Sequence, residues 1–418
     1  MLTVDMDLAR RLFETLAEKT QDPPGITRAA YGAGEEFAHG LVRQVGRDLG
    51  LVQAVDAAGN LYLTLPGRQP ELPQWIIGSH LDSVPHGGNY DGAAGVIAGL
   101  CTIAALKHAG IDPHRSITVM VIRAEESTWF PISYLGSRAA FGLLPGELLD
   151  TPRSDTGLSL YVHMAELGLR PDAVRQGEAH LNPEHIHGFI EVHIEQGPVL
   201  EMADKPLGLV TGIAGSFRYR TGRCIGSYGH SGAVPRPYRQ DAVVALAELI
   251  TGMDEIWAKQ LAAGRHATVT FGEVGTDPEM HAFSKVPGEA RFCLDVRSDR
   301  VETLNLLHAE LMALGARIEQ KRGVRFLWGE RTGSTPAPLD PELRQGLAET
   351  ATAEGIGFVE MASGAGHDTA VFANAGVKAA LIFVRNQNGS HNPHEAMRLE
   401  DFEQACNLLT RFIALQEQ

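Results

Sequence analysis

Leu8, Leu12 and Leu16 recur at helical spacing until Asp22-Pro-Pro-Gly25 ends the pattern, which predicts an amphipathic first helix. A second helix is expected over 34–50. Residues 51–66 change to short apolar runs around Asp56-Ala-Ala-Gly-Asn60, whose turn chemistry predicts a hairpin. Strand and helix patterns then alternate. Trp75-Ile-Ile-Gly78 reads as a short buried strand followed by a glycine-rich loop, Ala93–His108 has helical length, and 116–123 is apolar on both faces. Residues 189–195 alternate, setting Glu191, His193 and Glu195 on one face and Ile190, Val192 and Ile194 on the other. Residues 377–384 form a further apolar strand that runs into the polar loop 385–395. Between these blocks, alternating stretches at 216–220 and 290–297 flank helical segments at 241–263 and 299–315. The fold class predicted is α/β. A larger, mostly parallel-sheet domain comprises residues 1–213 and 328–418, and a smaller α+β domain, 214–327, is inserted into it.

Bulk composition narrows the partners. A chain of 418 residues exceeds what one core usually covers, in keeping with two domains. With 36 basic and 51 acidic residues the net charge is -15, which disfavours a nucleic-acid backbone or an anionic membrane as partner. The longest apolar stretch, residues 93–106, is broken by glycines and too short to span a bilayer. Acid stands at the N-terminus where a signal peptide needs base, so a cytoplasmic protein is expected. Cys101, Cys224, Cys293 and Cys406 lie far apart without a CxxC pair and read as buried small apolar residues.

Candidate chemistry gathers at strand ends. His80, Asp91, Glu126, His193 and His391 each stand beside a strand end or in a loop after one. The carboxyl ends of parallel strands form the ligand crevice of an open sheet, so these distant positions can converge. Three histidines and two carboxylates suit two borderline divalent ions, Zn2+ foremost, with Mn2+, Ni2+ or Co2+ as alternatives. Taken singly, each histidine reads more readily as a packed or exposed imidazole than as a ligand, and His86, His185, His187 and His394 are decoys of that kind. The pair Glu125-Glu126 ends an apolar strand, where two carboxylates need a cation or proton in compensation unless they are solvated. Gly-x-Ser-x-Gly, Walker and His-Glu-x-x-His motifs are missing, which removes the serine hydrolase, P-loop and zincin readings.

These residues resemble the dinuclear metal amidohydrolases of the aminoacylase and carboxypeptidase superfamily, specifically the hydantoinase/carbamoylase branch. That branch includes N-carbamoyl-L-amino acid hydrolases, allantoate and ureidoglycolate amidohydrolases, and β-ureidopropionases. The resemblance runs over nearly the whole chain. It is carried by Gly25-Ile-Thr-Arg-Ala-Ala-Tyr31, Asp56-Ala-Ala-Gly-Asn-Leu61, Gly78-Ser-His-Leu-Asp82 with Gly87-Gly-Asn-Tyr-Asp-Gly92, and Leu135-Gly-Ser-Arg138. His193-Ile-Glu-Gln-Gly-Pro198, Gly212-Ile-Ala-Gly215, Ser363-Gly-Ala-Gly-His-Asp368 and Ser390-His-Asn-Pro-His-Glu395 complete it.

The resemblance implies that one metal takes His80 and His193, the other Glu126 and His391, and that Asp91 bridges them. It implies that Asp82 orients His80 from behind, and that Glu125 is the general base that moves a proton from the attacking water to the leaving nitrogen. His230 would donate to the developing oxyanion from the inserted domain, reaching the active site of a partner subunit, so a homodimer through that dimerisation and lid domain is implied. Gln196 would bind the ureido group and Arg297 the carboxylate of a small-molecule substrate. On residue type alone the structural readings are favoured, His230 capping a turn, Gln196 satisfying local backbone and Arg297 sitting on a strand surface.

The chain departs from the family pattern around the substrate. Ser127-Thr-Trp-Phe130 replaces Gly-Ser-Arg-Phe, Ser231-Gly-Ala-Val-Pro-Arg236 replaces Ala-Gly-Thr-Thr-Pro-Met, and the loop Arg385-Asn-Gln-Asn388 is more polar than usual. Ser284-Lys285-Val-Pro287 stands where Asn-Val-Ile-Pro is typical, so Ser284 and Lys285 become candidate substrate-binding residues in place of the asparagine. The expectation is retained hydrolysis of a linear amide or ureido C–N bond in an N-carbamoyl or ureido acid, with altered specificity. A dipeptidase or N-acyl-amino acid deacylase, and a non-catalytic metal- or ligand-binding module, are the competing expectations.

Overall fold

A computed structural model describes residues 2–417. The chain divides into two compact units: one holds the residues up to Thr211, Leu339–Met361 and those from His367 onward, and the other holds Gly212–Pro338 with Ala362–Gly366.

The first unit is built on one sheet. Its main strands are β1 (Val52–Val55), β2 (Leu61–Leu65), β3 (Gln74–His80), β4 (Ile117–Ile122), β5 (Ile186–Ile194), β6 (Leu207–Ile213) and β7 (Ala379–Val384), and two further strands pair with β6. The spatial order is β6-β7-β5-β3-β4-β2-β1. The four central strands, β7, β5, β3 and β4, run parallel, and antiparallel strands flank them. All four central strands therefore end on the same edge. The chain leaves β3 for β4 on one side and β5 for β6 on the other, so the crevice between β3 and β5 is a topological switch point where ligands bind in open α/β sheets.

Helix Ala93–His108 packs on this sheet and is buried all round from Ala93 to Leu106, as an apolar helix without a polar face requires. Helices Met6–Lys19 and Leu399–Gln416 cover it from outside, and Leu8, Leu12 and Leu16 contribute the buried stripe of the first. No described helix is long and apolar enough to cross a membrane.

The second unit is an antiparallel sheet centred on strands Gly215–Ile225 and Glu289–Ser298, backed by helices Ala242–Ala262 and Val301–Arg322. Burial alternates along Glu289–Ser298, and Phe217, Leu246, Leu294 and Leu307 share the unit's own core.

Four local expectations are corrected. Strand β3 continues past Gly78 to His80, because parallel pairing with β4 carries through Ser79 and His80 although both are polar. Glu195 lies beyond β5, where its carboxylate accepts the Val199 and Leu200 N–H groups at 2.7 and 2.8 Å and so caps a short helix. The helix expected to stop at residue 315 runs to Arg322 and ends at Gly323, in the left-handed region at φ 63°. Cys293 is part-exposed, whereas the other three cysteines are buried.

Candidate active site

The parallel strands deliver His80 as the last residue of β3 and His193 as the penultimate residue of β5, either side of the crevice. Behind His80, its Nδ1 lies 3.1 Å from the Asp82 carbonyl and 3.2 Å from the Asp82 carboxylate, so Nδ1 carries the proton and Nε2 is a lone pair. His193 is set in the same sense: Nδ1 donates to the Ile194 carbonyl at 2.9 Å. The two Nε2 atoms face Asp91 Oδ1 at 3.6 and 3.1 Å. Three acceptors thus converge, and the Gly92 N–H donates to His193 Nε2 at 3.2 Å. A buried acceptor cluster of this kind calls for a cation. Gly92 permits the approach: its φ is +67° and a Cβ there would stand 2.5 Å from the His80 ring.

Asp91 faces a second group with its other oxygen. Oδ2 lies 3.4 Å from His391 Nε2, which lies 3.1 Å from Glu126 Oε1. The carboxylates Asp91 and Glu126 push the His391 imidazole up to about 11, and surroundings that favour a proton so strongly also favour a metal ion. Two triads therefore share Asp91: His80, Asp91 and His193, then Asp91, Glu126 and His391, each with ligand atoms within 4.8 Å of one another. A third grouping, Glu191, His193 and His367, meets the same distance condition. Both Glu191 oxygens are already engaged there, by Ser79 Oγ at 2.8 Å and by the Thr369 N–H and hydroxyl at 3.0 and 2.5 Å.

Glu125 and Glu126 sit on a turn shaped by buried polar groups. The Asp82 carboxylate accepts both of their N–H groups, at 3.0 and 3.1 Å. Ala124 is in the left-handed region at φ 50°, and its N–H donates to the fully buried Glu35 at 3.0 Å. Glu35 also accepts from Tyr31 N at 2.7 Å and from Arg123 at 2.8 Å, and Asn60, held by Asp56, accepts from Arg123 N at 2.9 Å. The stretches 25–31 and 56–61 thus brace the turn that presents Glu125. Burial, the largest influence, and then the Glu126 charge raise the Glu125 carboxyl well above its ordinary range, against an opposing pull from His80. Its Oε2 stands 4.0 Å from His80 Nε2.

Gln196, with φ 63°, donates from Nε2 to Asp91 Oδ2 at 2.8 Å and leaves its buried Oε1 without a partner. The remaining residues singled out from the sequence belong to the second unit. His230 Nδ1 accepts the Gly232 and Ala233 N–H groups at 3.1 and 3.2 Å, leaving Nε2 as the protonated nitrogen. Gly229–His230 pairs antiparallel with Lys285–Val286, and the Ser284 carbonyl accepts from Ser231 N at 2.9 Å. Lys285 Nζ donates to the Met280 carbonyl at 2.6 Å and stands 5.2 Å over the Tyr228 ring. Arg297 donates twice to Asp295 and once, at 3.0 Å, to the Gly364 carbonyl.

The sequence reading assigned no roles to Glu35, Arg28, Ser390, Asp368 or Glu395. Glu35, Arg28, Asp368 and Glu395 share burial of a polar side chain, and Ser390 is part-buried between Asp91 and Glu395, which no local pattern reveals.

Residues 76–415, which include every residue of both triads, match the model described as Peptidase family M20/M25/M40. The chain belongs to this family. Among its relatives, an N-carbamoyl-L-amino acid amidohydrolase of Geobacillus stearothermophilus is 35% identical over 401 residues, covering 94% of each chain. An allantoate amidohydrolase of Bacillus subtilis is 30% identical, covering 92% of this chain and 91% of its own. A solved hydantoinase/carbamoylase family amidase from Burkholderia multivorans superposes with a TM-score of 0.90 at 27% identity, covering 100% of this chain and 98% of that one. As an M20/M25/M40 member the chain is a metal-dependent hydrolase with a donor set suited to metal ions.

Proposed function

We propose that this enzyme hydrolyses a linear C–N bond in an N-carbamoyl or ureido acid, releasing ammonia and carbon dioxide, with Glu125 as general base. The observation that carries the proposal is the convergence of the His80 and His193 Nε2 atoms on Asp91, beside a part-buried Glu125 of raised pKa. Relatives named for N-carbamoyl-L-amino acids and allantoate support the substrate class.

Two divalent ions, Zn2+ foremost, would be held by His80 and His193 and by Glu126 and His391, with Asp91 common to both. When bound, they supply Lewis-acid polarisation and favour deprotonation of water. The side chains do the rest. Asp82 keeps His80 in the tautomer whose lone pair faces inward, and it fixes the Glu125-Glu126 turn by two N–H bonds. Glu125 takes the proton of the attacking water and returns it to the leaving nitrogen. Gln196 is tied to Asp91 by its amide nitrogen, so its free Oε1 is an acceptor for a ureido N–H2. By resemblance to the carbamoylase branch, His230 donates from Nε2 to the developing oxyanion, and Arg297 takes the substrate carboxylate. Three of its five N–H groups are engaged within the second unit, leaving two for that anion. Ser284 and Lys285 border the His230 strand and adjust acid specificity. We place the enzyme in the cytoplasm as a homodimer formed through its second unit. The absence of disulfides among its four cysteines supports a reducing compartment.

The test is a panel of N-carbamoyl amino acids, allantoate and N-acetyl amino acids assayed with zinc, manganese and nickel. Ammonia release from the first two classes is expected, and Glu125→Gln should lower kcat by about 10²–10⁴-fold. Turnover of N-acetyl amino acids alone, or an unchanged kcat in Glu125→Gln, would reject the proposal.

A further inference from the structure

The Glu395 carboxylate takes no part in the chemistry above, yet it joins two loops that are distant in sequence. It is buried. Its Oε1 accepts the N–H groups of Tyr90 at 2.8 Å and Asp91 at 3.2 Å. Its Oε2 lies 2.5 Å from the Ser390 hydroxyl, which lies 2.5 Å from Asp91 Oδ2. Gly88 is matched to this contact, because a Cβ there would stand 2.1 Å from the Glu395 carboxyl. The loop that bears Glu395 is closed on itself. Asn386–Gln387 pairs with Ala396–Met397, Asn388 Nδ2 donates to the His394 carbonyl at 2.7 Å, and Asn392 Nδ2 donates to the Asn388 carbonyl at 2.9 Å. Glu395 therefore fastens a self-contained loop to the backbone of Asp91.

His391 rides on that loop. It has a left-handed φ of 59°, and its side chain is 49% exposed, whereas His80, Asp91, Glu126 and His193 are all buried. Strand pairing holds His80 and His193 in place, but His391 depends on what anchors its loop. From this geometry we infer that Glu395 is a positioning residue: it sets the separation of His391 from Asp91, and so controls metal binding at the Asp91, Glu126 and His391 triad and not at the His80, Asp91 and His193 triad. The inference rests on the two-ion reading proposed above.

Equilibrium dialysis of metal-free full-length protein against graded Zn2+, with bound ions counted by elemental analysis, tests it. Wild type is compared with Glu395→Ala, Glu395→Gln and Ser390→Ala. The expected result is a second-ion affinity weakened about 10–100-fold in Glu395→Ala while the first changes by less than about threefold, as the loss of a supporting partner behind one site implies. Ser390→Ala should weaken the second ion in the same selective way, by a smaller factor. Glu395→Gln should bind both ions as wild type does, since its amide oxygen still accepts the Tyr90 and Asp91 N–H groups. A merely structural role would weaken both ions together. Equal loss of both ions, or no loss of either, in a folded Glu395→Ala protein overturns the inference and leaves the two-ion reading standing. A wild type that binds a single ion overturns both. Should Glu395→Ala not fold, selective loss of the second ion in Ser390→Ala supports the inference, and its absence overturns it.

Discussion

Asp91 faces imidazole nitrogens from two triads, and the space around it is set by single atoms. Gly92, its neighbour, has φ +67° and would place a Cβ 2.5 Å from the His80 ring. Gly92→Ala should therefore cost about 1–2 kcal/mol for the left-handed backbone, with a further loss from the displaced imidazole. A lower Tm together with weaker Zn2+ binding in the same variant is the expected outcome, read by thermal unfolding and ion titration. At this scale the sequence exposes side chains of metal-binding type well. Histidines and carboxylates beside apolar runs are unusual enough to be noticed, and His80, Asp91, Glu126, His193 and His391 lie together in two triads. Arg28 is different. It is fully buried and donates to the Leu81 carbonyl at 2.6 Å and to Asn89 at 3.1 Å, bracing the loop between Asp82 and Asp91. An arginine in a sequence reads as surface unless its burial is seen.

At the level of elements, apolar periodicity marks strands and helices reliably in the interior and poorly at their ends. Strand β3 acquires Ser79 and His80 because its neighbour β4 continues to offer hydrogen bonds, a property of the pair and not of either segment. Helix Val301–Arg322 gains its last two turns in a similar way. Lys321 and Arg322 reach Glu248 on helix Ala242–Ala262, at 3.0 Å for Lys321 Nζ and 3.2 Å for Arg322 Nε. The Arg322 contact above all, with help from Lys321, pulls the Glu248 carboxyl down to about 2 against burial, whose opposing effect is second only to that of Arg322. A folded pKa below the unfolded value of about 4.5 means stability that is complete above that pH and lost as pH falls towards 2. Solvent reaches these side chains, so the pair is worth about 1 kcal/mol and not what the full shift would imply. Glu248→Gln should lower second-unit stability by about that amount at pH 7 and leave it unchanged at pH 2, as urea unfolding followed across pH would register.

For the molecule as a whole, two cores carry two duties. The residues of both triads lie in the first unit, and the second unit has a core of its own. Metal removal should consequently destabilise the first unit alone. At an ion concentration about 100 times Kd the stabilisation amounts to about 2.7 kcal/mol. Trp75 and Trp129 report on the first unit, Trp257 and Trp328 on the second, so tryptophan variants resolve the two transitions. A chelator is expected to lower the Tm seen at Trp75 and Trp129 while sparing that seen at Trp257 and Trp328. The sequence by itself determined the alternation of strands and helices, the apolar helix Ala93–His108 and the choice of metal-type side chains, because periodicity and ligand chemistry are local properties. Strand order decided the rest. The β3–β5 crevice, the inward lone pairs of His80 and His193, and the Glu395 anchor on Asp91 join residues as much as 304 positions apart. Such contacts depend on which strands become neighbours and which polar groups lose their water, and neither is written in any one segment.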